Sequence, residues 1–293
     1  MDLQRKSKLE WLAQQIARAD AVVIGGGSGL SSAAGYDHYH WSPALSGPLE
    51  KFRKYYGFTS PFAGFYHCFS SYGEQWGYYS QYIRAMWEAP TGRPYLDLKE
   101  IIGNKPVFVL TTNADGQFFR VFPQEKICAF QGDFGYCQCS QPCQDKLWEN
   151  RDLVERLTCR LQGVRLPENA VPRCPDCGRV LVPWVRDDTF LEGSVWRQNL
   201  TRYHDFLRHW LLEQPGKRLL LLEVGVGEMT PSIIKLPFWQ LTARNEMVFY
   251  ACMNQKESDV PEHLKDRGLY IQGDLAETLA ALRQIQKGEY SNA

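Results

Sequence analysis

With 293 residues, 44% of them apolar, the chain is long enough to bury a sizeable core as one large or two modest domains. Its 33 basic and 33 acidic residues cancel, so no broad field favours nucleic acid or an anionic membrane, and a small molecule or a protein is the expected partner. No apolar run approaches the ~20 residues that a bilayer span needs.

The stretch from Met1 to Lys6 leads into an amphipathic segment without the apolar centre of a signal peptide, which predicts a cytosolic protein. Nine cysteines in such a chain point to metal or reactive thiols before disulfides. Leu9, Leu12, Ile16 and Ala19 share a face at helical spacing. A short β-type run, Ala21-Val22-Val23-Ile24, then meets Gly25-Gly26-Gly27-Ser28-Gly29 and a small-residue segment. Strand, glycine loop and helix start form the layout of a nucleotide-phosphate site, because glycines let backbone N–H groups approach a pyrophosphate. The same glycines also suit a tight strand-to-helix turn with no ligand. An ordinary dehydrogenase places an acidic residue at the end of a second strand about 20 residues on. Here no convincing strand follows until Val107, and an aromatic stretch of helical character, notably Pro61 to Trp87, intervenes.

The next apolar run, Val107-Phe108-Val109-Leu110, reads as a buried strand that delivers Thr111-Thr112-Asn113-Ala114-Asp115. A further run, Ile127-Cys128-Ala129-Phe130, delivers Gln131-Gly132-Asp133. Ligands of open α/β sheets bind beyond the carboxyl ends of the strands, so Asn113, Asp115 and Gln131 are expected to share a pocket. Six cysteines then crowd into about forty positions. Cys139 and Cys143, with Cys174 and Cys177, form C-x3-C and C-x2-C pairs about thirty residues apart, close to a tetrahedral structural zinc site. Spacing alone leaves Cys137 and Cys159 as competing ligands. Parallel-sheet grammar resumes with Leu219 to Val224 before Gly225-Val226-Gly227, then Met247 to Ala251 before Asn254, then Leu269-Tyr270-Ile271. Gly273-Asp274 is expected to cap a helix from Leu275 to Gln286.

Taken in this order the motifs resemble those of the sirtuin family over nearly the whole chain. The glycine loop and its sequel appear as Gly25 to Gly29 and Ala34-Gly35-Tyr36-Asp37, and the T-Q-N-x-D motif as Thr111 to Asp115. The G-T-S turn corresponds to Gly225-Val226-Gly227, the ribose-contacting asparagine to Asn254, and the adenine-side turn to Gly273-Asp274-Leu275. The resemblance implies an α/β fold: a Rossmann-like parallel-sheet sirtuin core from about 1–36, 100–131 and 215–293, with a helical aromatic insertion at about 37–99 and a zinc-binding module at about 132–190. It implies NAD as co-substrate and structural Zn2+. NAD contacts would fall to Gly25, Gly26, Gly27, Ser28, Ala34, Gly35, Tyr36, Asp37, Thr112, Asn113, Asp115, Gln131, Gly225, Val226, Gly227, Asn254, Asp274 and Leu275. In the family the first zinc cysteine lies eight residues past the catalytic histidine, which favours Cys139 over Cys137.

The departures fall at the chemistry. Sirtuin deacylases use a histidine base where this chain has Gln131, whose amide donates and accepts hydrogen bonds but takes no proton near neutral pH. The clamp for the acyl-lysine peptide, normally ending in Phe-Gly-Glu, is replaced by Val185 to Phe190, and Asp-Phe-Arg by Asp37-His38-Tyr39. These changes resemble class M sirtuins, which are protein ADP-ribosyltransferases. That resemblance implies a lipoylated glycine cleavage H-like protein as acceptor, a pairing with a macrodomain hydrolase that reverses the modification, and a place in the oxidative-stress response. Cleaving the nicotinamide bond needs a held ribose and a stabilised oxocarbenium-like charge, and neither requires a histidine. Asn113, Asp115 and Gln131 are therefore the expected catalytic residues: Asn113 for the ribose hydroxyls and nucleophile, Asp115 for the carboxamide or ribose, Gln131 for the nicotinamide ribose. His38 and His40 are not assigned as substitute bases. Rival activities are lysine deacylation, hydrolysis of free NAD, and ligand sensing without turnover.

Overall fold

The computed structural model describes residues 3–256 and 259–289; Met1 and Asp2, at the head of the charged N-terminal stretch, lie outside the described residues. The helical spacing from Leu9 is realised in α1 (Leu3–Arg18), which buries Leu9, Leu12 and Ile16. β1 (Ala21–Gly26) follows, then α2 (Ser28–Ala33), α3 (Pro43–Tyr56), α4 (Pro61–Phe65), α5 (Tyr72–Glu88) and α6 (Arg93–Ile102). Next come β2 (Val107–Thr111), β3 (Ile127–Ala129), β4 (Gly132–Cys139), β5 (Trp148–Glu149), α7 (Arg151–Cys159), β6 (Leu181–Val185) and α8 (Ser194–Arg208). The chain continues through β7 (Leu219–Val224), α9 (Lys235–Arg244), β8 (Val248–Asn254), β9 (Gly268–Gln272) and α10 (Leu275–Lys287).

Six strands form one parallel sheet in the order β3-β2-β1-β7-β8-β9. Strands β1, β2 and β7 are buried at every position, which is why they read as unbroken apolar runs. Successive side chains alternate between the two faces. Val22, Ile24, Leu220 and Leu222 meet α1, α6 and α10, while Ala21, Val23, Leu219 and Leu221 meet α8 and α9. Order reverses at β1, flanked by β2 and β7, so the crevice at the carboxyl ends of these strands is the topological switch point where such sheets take ligands.

The sequence suggests two separate insertions; their side chains share one core. Leu49, Phe52, Trp76, Tyr78 and Met86 of the aromatic helices pack in the same cluster as Cys137, Val154, Leu157 and Leu181 of the cysteine-bearing segment. The Trp76 indole N–H donates to the Leu181 carbonyl at 2.7 Å. Helix α5 comes close enough to the chain opposite that a Cβ on Gly77 would stand 2.5 Å from the Val164 carbonyl oxygen, and one on Gly73 would stand 2.6 Å from that of Leu166.

This approach generates a stability prediction. Gly77→Ala gains helix propensity of about 1 kcal/mol but forces backbone apart, an overpacking cost of up to ~3 kcal/mol. Thermal unfolding is expected to show a net loss of stability, whereas Gly47→Ala in α3, where a Cβ meets nothing, is expected to show none.

Candidate active site

Backbone brings the sheet ends together at the switch point. Gly25 and Gly26, expected in a loop, lie inside β1; a Cβ on Gly25 would strike Ile234 and Phe238, and one on Gly26 would strike Phe118. The turn proper is Gly27 to Gly29. Its Gly27 N–H donates to the Val224 carbonyl at 3.0 Å, and its Gly29 N–H to the Gly225 carbonyl at 2.9 Å. Gly225 has φ +64, and a Cβ there would sit 2.5 Å from the Leu30 nitrogen. Only glycine fits two turns pressed backbone to backbone. Val226 is held from the other side, because the Asn254 side-chain amide donates to its carbonyl at 2.8 Å. Asp274 caps α10, accepting the Glu277 N–H at 3.0 Å, and Leu275 is buried in the sheet core. Gly35 takes φ +91 at the end of α2, and Asp37 accepts the backbone N–H groups of Tyr39 and His40.

The residues after β2 form a buried polar network. Thr112 N–H donates to the Gly26 carbonyl at 3.0 Å. The Asn113 side-chain amide nitrogen reaches the Gly27 carbonyl at 3.0 Å, Ser31 Oγ at 3.1 Å and the Tyr95 hydroxyl at 3.2 Å. Its Oδ1 takes no partner among the described residues and is the atom it can offer a ligand. Ser31 donates to Asp115 Oδ2 at 2.5 Å, and the Gln117 N–H donates to Oδ1 at 3.0 Å. Burial alone would raise the Asp115 carboxyl, but His38, Ser31 and the Gln117 N–H together hold it below its ordinary value of 3.8, so it is a carboxylate at neutral pH.

Two participants carried no sequence signal, and a third was named there without a role. Ser31 and Tyr95 reach Asn113 across 82 and 18 positions, and no motif marks either. His38, left aside on the sequence, stands in the network: Tyr82 Oη lies 2.6 Å from its Nδ1, and Asp115 Oδ2 lies 3.8 Å from its Nε2.

Gln131 enters from β3. Strands β2 and β3 pair at Thr111 and Ala129, so Asn113 and Gln131 each lie two residues past the last matched pair. The Gln131 carbonyl accepts the Arg186 N–H at 3.0 Å, while the Arg186 guanidinium donates to the Phe130 carbonyl at 3.2 Å and lies 4.1 Å from the centre of the Phe190 ring. The segment from Val185 to Phe190 is thus fastened beside Gln131. Asp133, whose carboxyl burial pushes up to about 6, lines a separate small cavity with Ile127, Tyr136 and Trp184.

The Sγ atoms of Cys139, Cys143, Cys174 and Cys177 all lie within 4.8 Å of one another, with Cys139–Cys177 and Cys143–Cys174 at 3.6 Å. Four thiolates on tetrahedral zinc, at Zn–S about 2.3 Å, stand about 3.8 Å apart, so the four fit that ion. Gly178, with φ +75, turns the chain so that its N–H donates to the Cys174 carbonyl at 2.8 Å. The Arg179 N–H holds the Cys177 thiol down to about 6, while the neighbouring Cys177 sulfur pushes Cys143 up to about 12; a cation is what lets all four ionise together. Cys137 is buried in the lobe core against Asn150, and Cys159 is exposed on α7 outside the cluster.

No family model matches the chain. It is 28% identical over 296 residues to the protein ADP-ribosyltransferase of Staphylococcus aureus, covering 99% of this chain and 91% of that protein. It is also 28% identical over 290 residues to a protein of Fusarium oxysporum f. sp. cubense named a probable bifunctional ADP-ribose hydrolase/ADP-ribosyltransferase, covering 93% of this chain but 46% of that protein. Among solved structures it is similar to the crystal structure of a Sir2 homologue in complex with NAD, with a TM-score of 0.61, 16% identity, and 95% and 94% of the two chains covered. The fold is a sirtuin-like α/β fold with a four-cysteine module.

The four-sulfur geometry predicts one zinc per chain by metal analysis. Stripping it with a chelator, or Cys174→Ser, is expected to lower Tm by roughly 5–10 °C, the equivalent of about 2–3 kcal/mol. Cys159→Ser is expected to change neither zinc content nor Tm.

Proposed function

We propose that this chain is an NAD-dependent protein ADP-ribosyltransferase of the class M sirtuins. NAD supplies the ADP-ribosyl group: the bond from C1′ to nicotinamide breaks, its electron pair leaving on neutral nicotinamide, and a nucleophilic atom of a protein acceptor bonds to C1′ and releases its proton to solvent. The single observation that carries the reading is the character of the switch-point pocket. It presents a free Asn113 Oδ1 and an ionised Asp115, with an amide and no imidazole at position 131. Asn113 Oδ1 accepts a hydrogen bond from a ribose hydroxyl, its NH2 being committed to Gly27, Ser31 and Tyr95. Asp115 places negative charge where the ribose becomes positive. The Gln131 amide bonds the nicotinamide ribose hydroxyls and leaves C1′ open to the acceptor. The remaining nucleotide contacts come from Gly27, Ser28, Gly225 to Gly227 and the neighbouring turns.

The overall likeness to the Staphylococcus aureus transferase supports the reaction class. For the acceptor we take the lipoylated glycine cleavage H-like protein that the class M resemblance implies. Pairing with a macrodomain hydrolase is supported by a relative whose one name joins ADP-ribose hydrolase to ADP-ribosyltransferase. An oxidative-stress role follows from the same resemblance. A cytosolic place accords with balanced charge and with the described residues, in which no helix is long and apolar enough to cross a membrane.

The test is incubation with NAD labelled in its ADP-ribose, with and without acceptor, and with acceptor lacking lipoate. Label on the lipoylated acceptor with stoichiometric nicotinamide is the expected result. Free ADP-ribose alone would make the chain an NAD hydrolase, O-acyl-ADP-ribose from acyl-lysine peptides a deacylase, and binding without turnover a sensor. Asn113→Ala is expected to lower the transfer rate at least ~100-fold, the scale of losing a preorganised polar contact to the transition state. Gln131→His is expected to yield no deacylation, because Arg186 keeps the segment beside position 131 fastened.

A further inference from the structure

A histidine does stand in the pocket, at a position where the sirtuin motif has phenylalanine. His38 is only 13% exposed in its side chain, and it stands between two elements. On one side is Tyr82, in the middle of α5; on the other is Asp115, beyond β2, in the same loop whose Arg120 also reaches the α5 carbonyls of Met86 and Trp87. The Tyr82 hydroxyl is fully enclosed, and burial pushes its phenol well above 10, so it remains an O–H. His38 is its partner among the described residues, at 2.6 Å from Nδ1. An O–H that donates to Nδ1 leaves the neutral ring's proton on Nε2. That N–H faces Asp115 Oδ2 at 3.8 Å, beyond hydrogen-bond reach but close enough to act electrostatically on a buried carboxylate. The turn is fixed locally, since Asp37 accepts the N–H groups of Tyr39 and His40, and the His38 carbonyl accepts the Phe62 N–H at 2.8 Å. His40, by contrast, is paired with Asp37 on the surface and does not join the network.

We propose that His38 is a positioning residue of the transfer site: held by Tyr82 at Nδ1, it directs its Nε2–H at Asp115 and orients the carboxylate that faces the developing positive charge. In this tautomer His38 is a donor and does not serve as the missing base. The inference rests on the transferase reading for its catalytic consequence, though the tautomer itself does not. A phenylalanine at this position closes the same space and leaves Asp115 without that partner. The imidazole also links Asp115 to the aromatic lobe, so the carboxylate's orientation depends on how α5 sits.

Two measurements test it. Nitrogen NMR of ¹⁵N-histidine protein, with His38→Gln used to identify the signal, is expected to show protonated Nε2 and bare Nδ1 for His38, and a mixture of tautomers in Tyr82→Phe. A protonated Nδ1 with bare Nε2 would overturn the proposal whether or not the chain is a transferase. In turnover, His38→Phe and His38→Asn are expected to lower kcat for nicotinamide release about tenfold or more, with KM for NAD within about threefold. His38→Gln, whose amide nitrogen falls near Nε2, is expected to recover part of that rate. Wild-type kcat in His38→Phe, or a His38→Gln no better than His38→Phe, would reduce His38 to packing. Absence of any transfer by the wild-type protein, with the expected NMR tautomer, would instead strike down the transferase reading and leave the contact standing.

Discussion

The Ser31 hydroxyl is the point on which the pocket turns. It has one proton and two lone pairs, and all three are used: it donates to Asp115 Oδ2, and it receives the Asn113 amide at 3.1 Å and the Tyr95 hydroxyl at 3.0 Å. Those partners come from the loop beyond β2 and from α6, and Ser31 itself from α2, so one short side chain joins three elements. A buried carboxylate without such donors costs several kcal/mol and gives up its charge by taking a proton. Here the donors keep Asp115 ionised although it is 3% exposed. A negative charge beyond the carboxyl end of β2 is therefore built into the fold and held in place before any ligand arrives.

That arrangement is transmitted to the second lobe. Gln117, two residues past Asp115, accepts the Gly92 N–H at 3.0 Å, and Arg120 donates to the Met86 and Trp87 carbonyls at 3.0 Å and to that of Ala89. The last carbonyls of α5 would otherwise lack partners, and a guanidinium from the β2 loop satisfies them. The aromatic helices are thus fastened to the loop beyond β2 on one side and to the cysteine-bearing module on the other, through Trp76 and the backbone approach at Gly73 and Gly77. The four-cysteine cluster lies outside the polar network, and an ion held there would reach the pocket only through this shared core.

How much of this was legible in the sequence follows from the range of each interaction. Strands β1, β2 and β7 announce themselves because both faces are covered, which leaves no polar alternation to confuse them. Asn113 and Asp115 are legible as polar residues at a strand end. Ser31, Tyr95 and Tyr82 are not, since nothing local distinguishes them from any small or aromatic residue in a helix; their meaning comes from partners far along the chain. The glycines were read as a loop because residue type reports backbone freedom and not its purpose. Gly25 and Gly26 use theirs to admit bulky side chains against a strand, and Gly27 and Gly29 to admit another backbone. Cysteine spacing left Cys137 and Cys159 open for a similar reason. In β4 side chains alternate, and the Cys137 side chain packs into the lobe core beside Asn150, as does that of Cys139, two residues on, whose sulfur also reaches Gln141 and Cys177 at the core's edge.

The amide at position 131 and the fastened segment beside it belong to one physical argument. Completing acyl removal requires a group that takes a proton from a ribose hydroxyl and a groove that admits acyl-lysine. At Gln131 the first is missing by chemistry. The second is opposed by geometry: Arg186 spends its backbone N–H on the Gln131 carbonyl and its guanidinium on the Phe130 carbonyl, with the Phe130, Phe190 and Trp196 rings within 5.4 Å of it. An extended peptide pairing along that stretch meets donors and acceptors already used. Breaking the nicotinamide bond asks for neither feature. It asks for a held ribose and a nearby negative charge, roles that the proposed reading gives to Asn113 Oδ1 and to the buried Asp115 carboxylate.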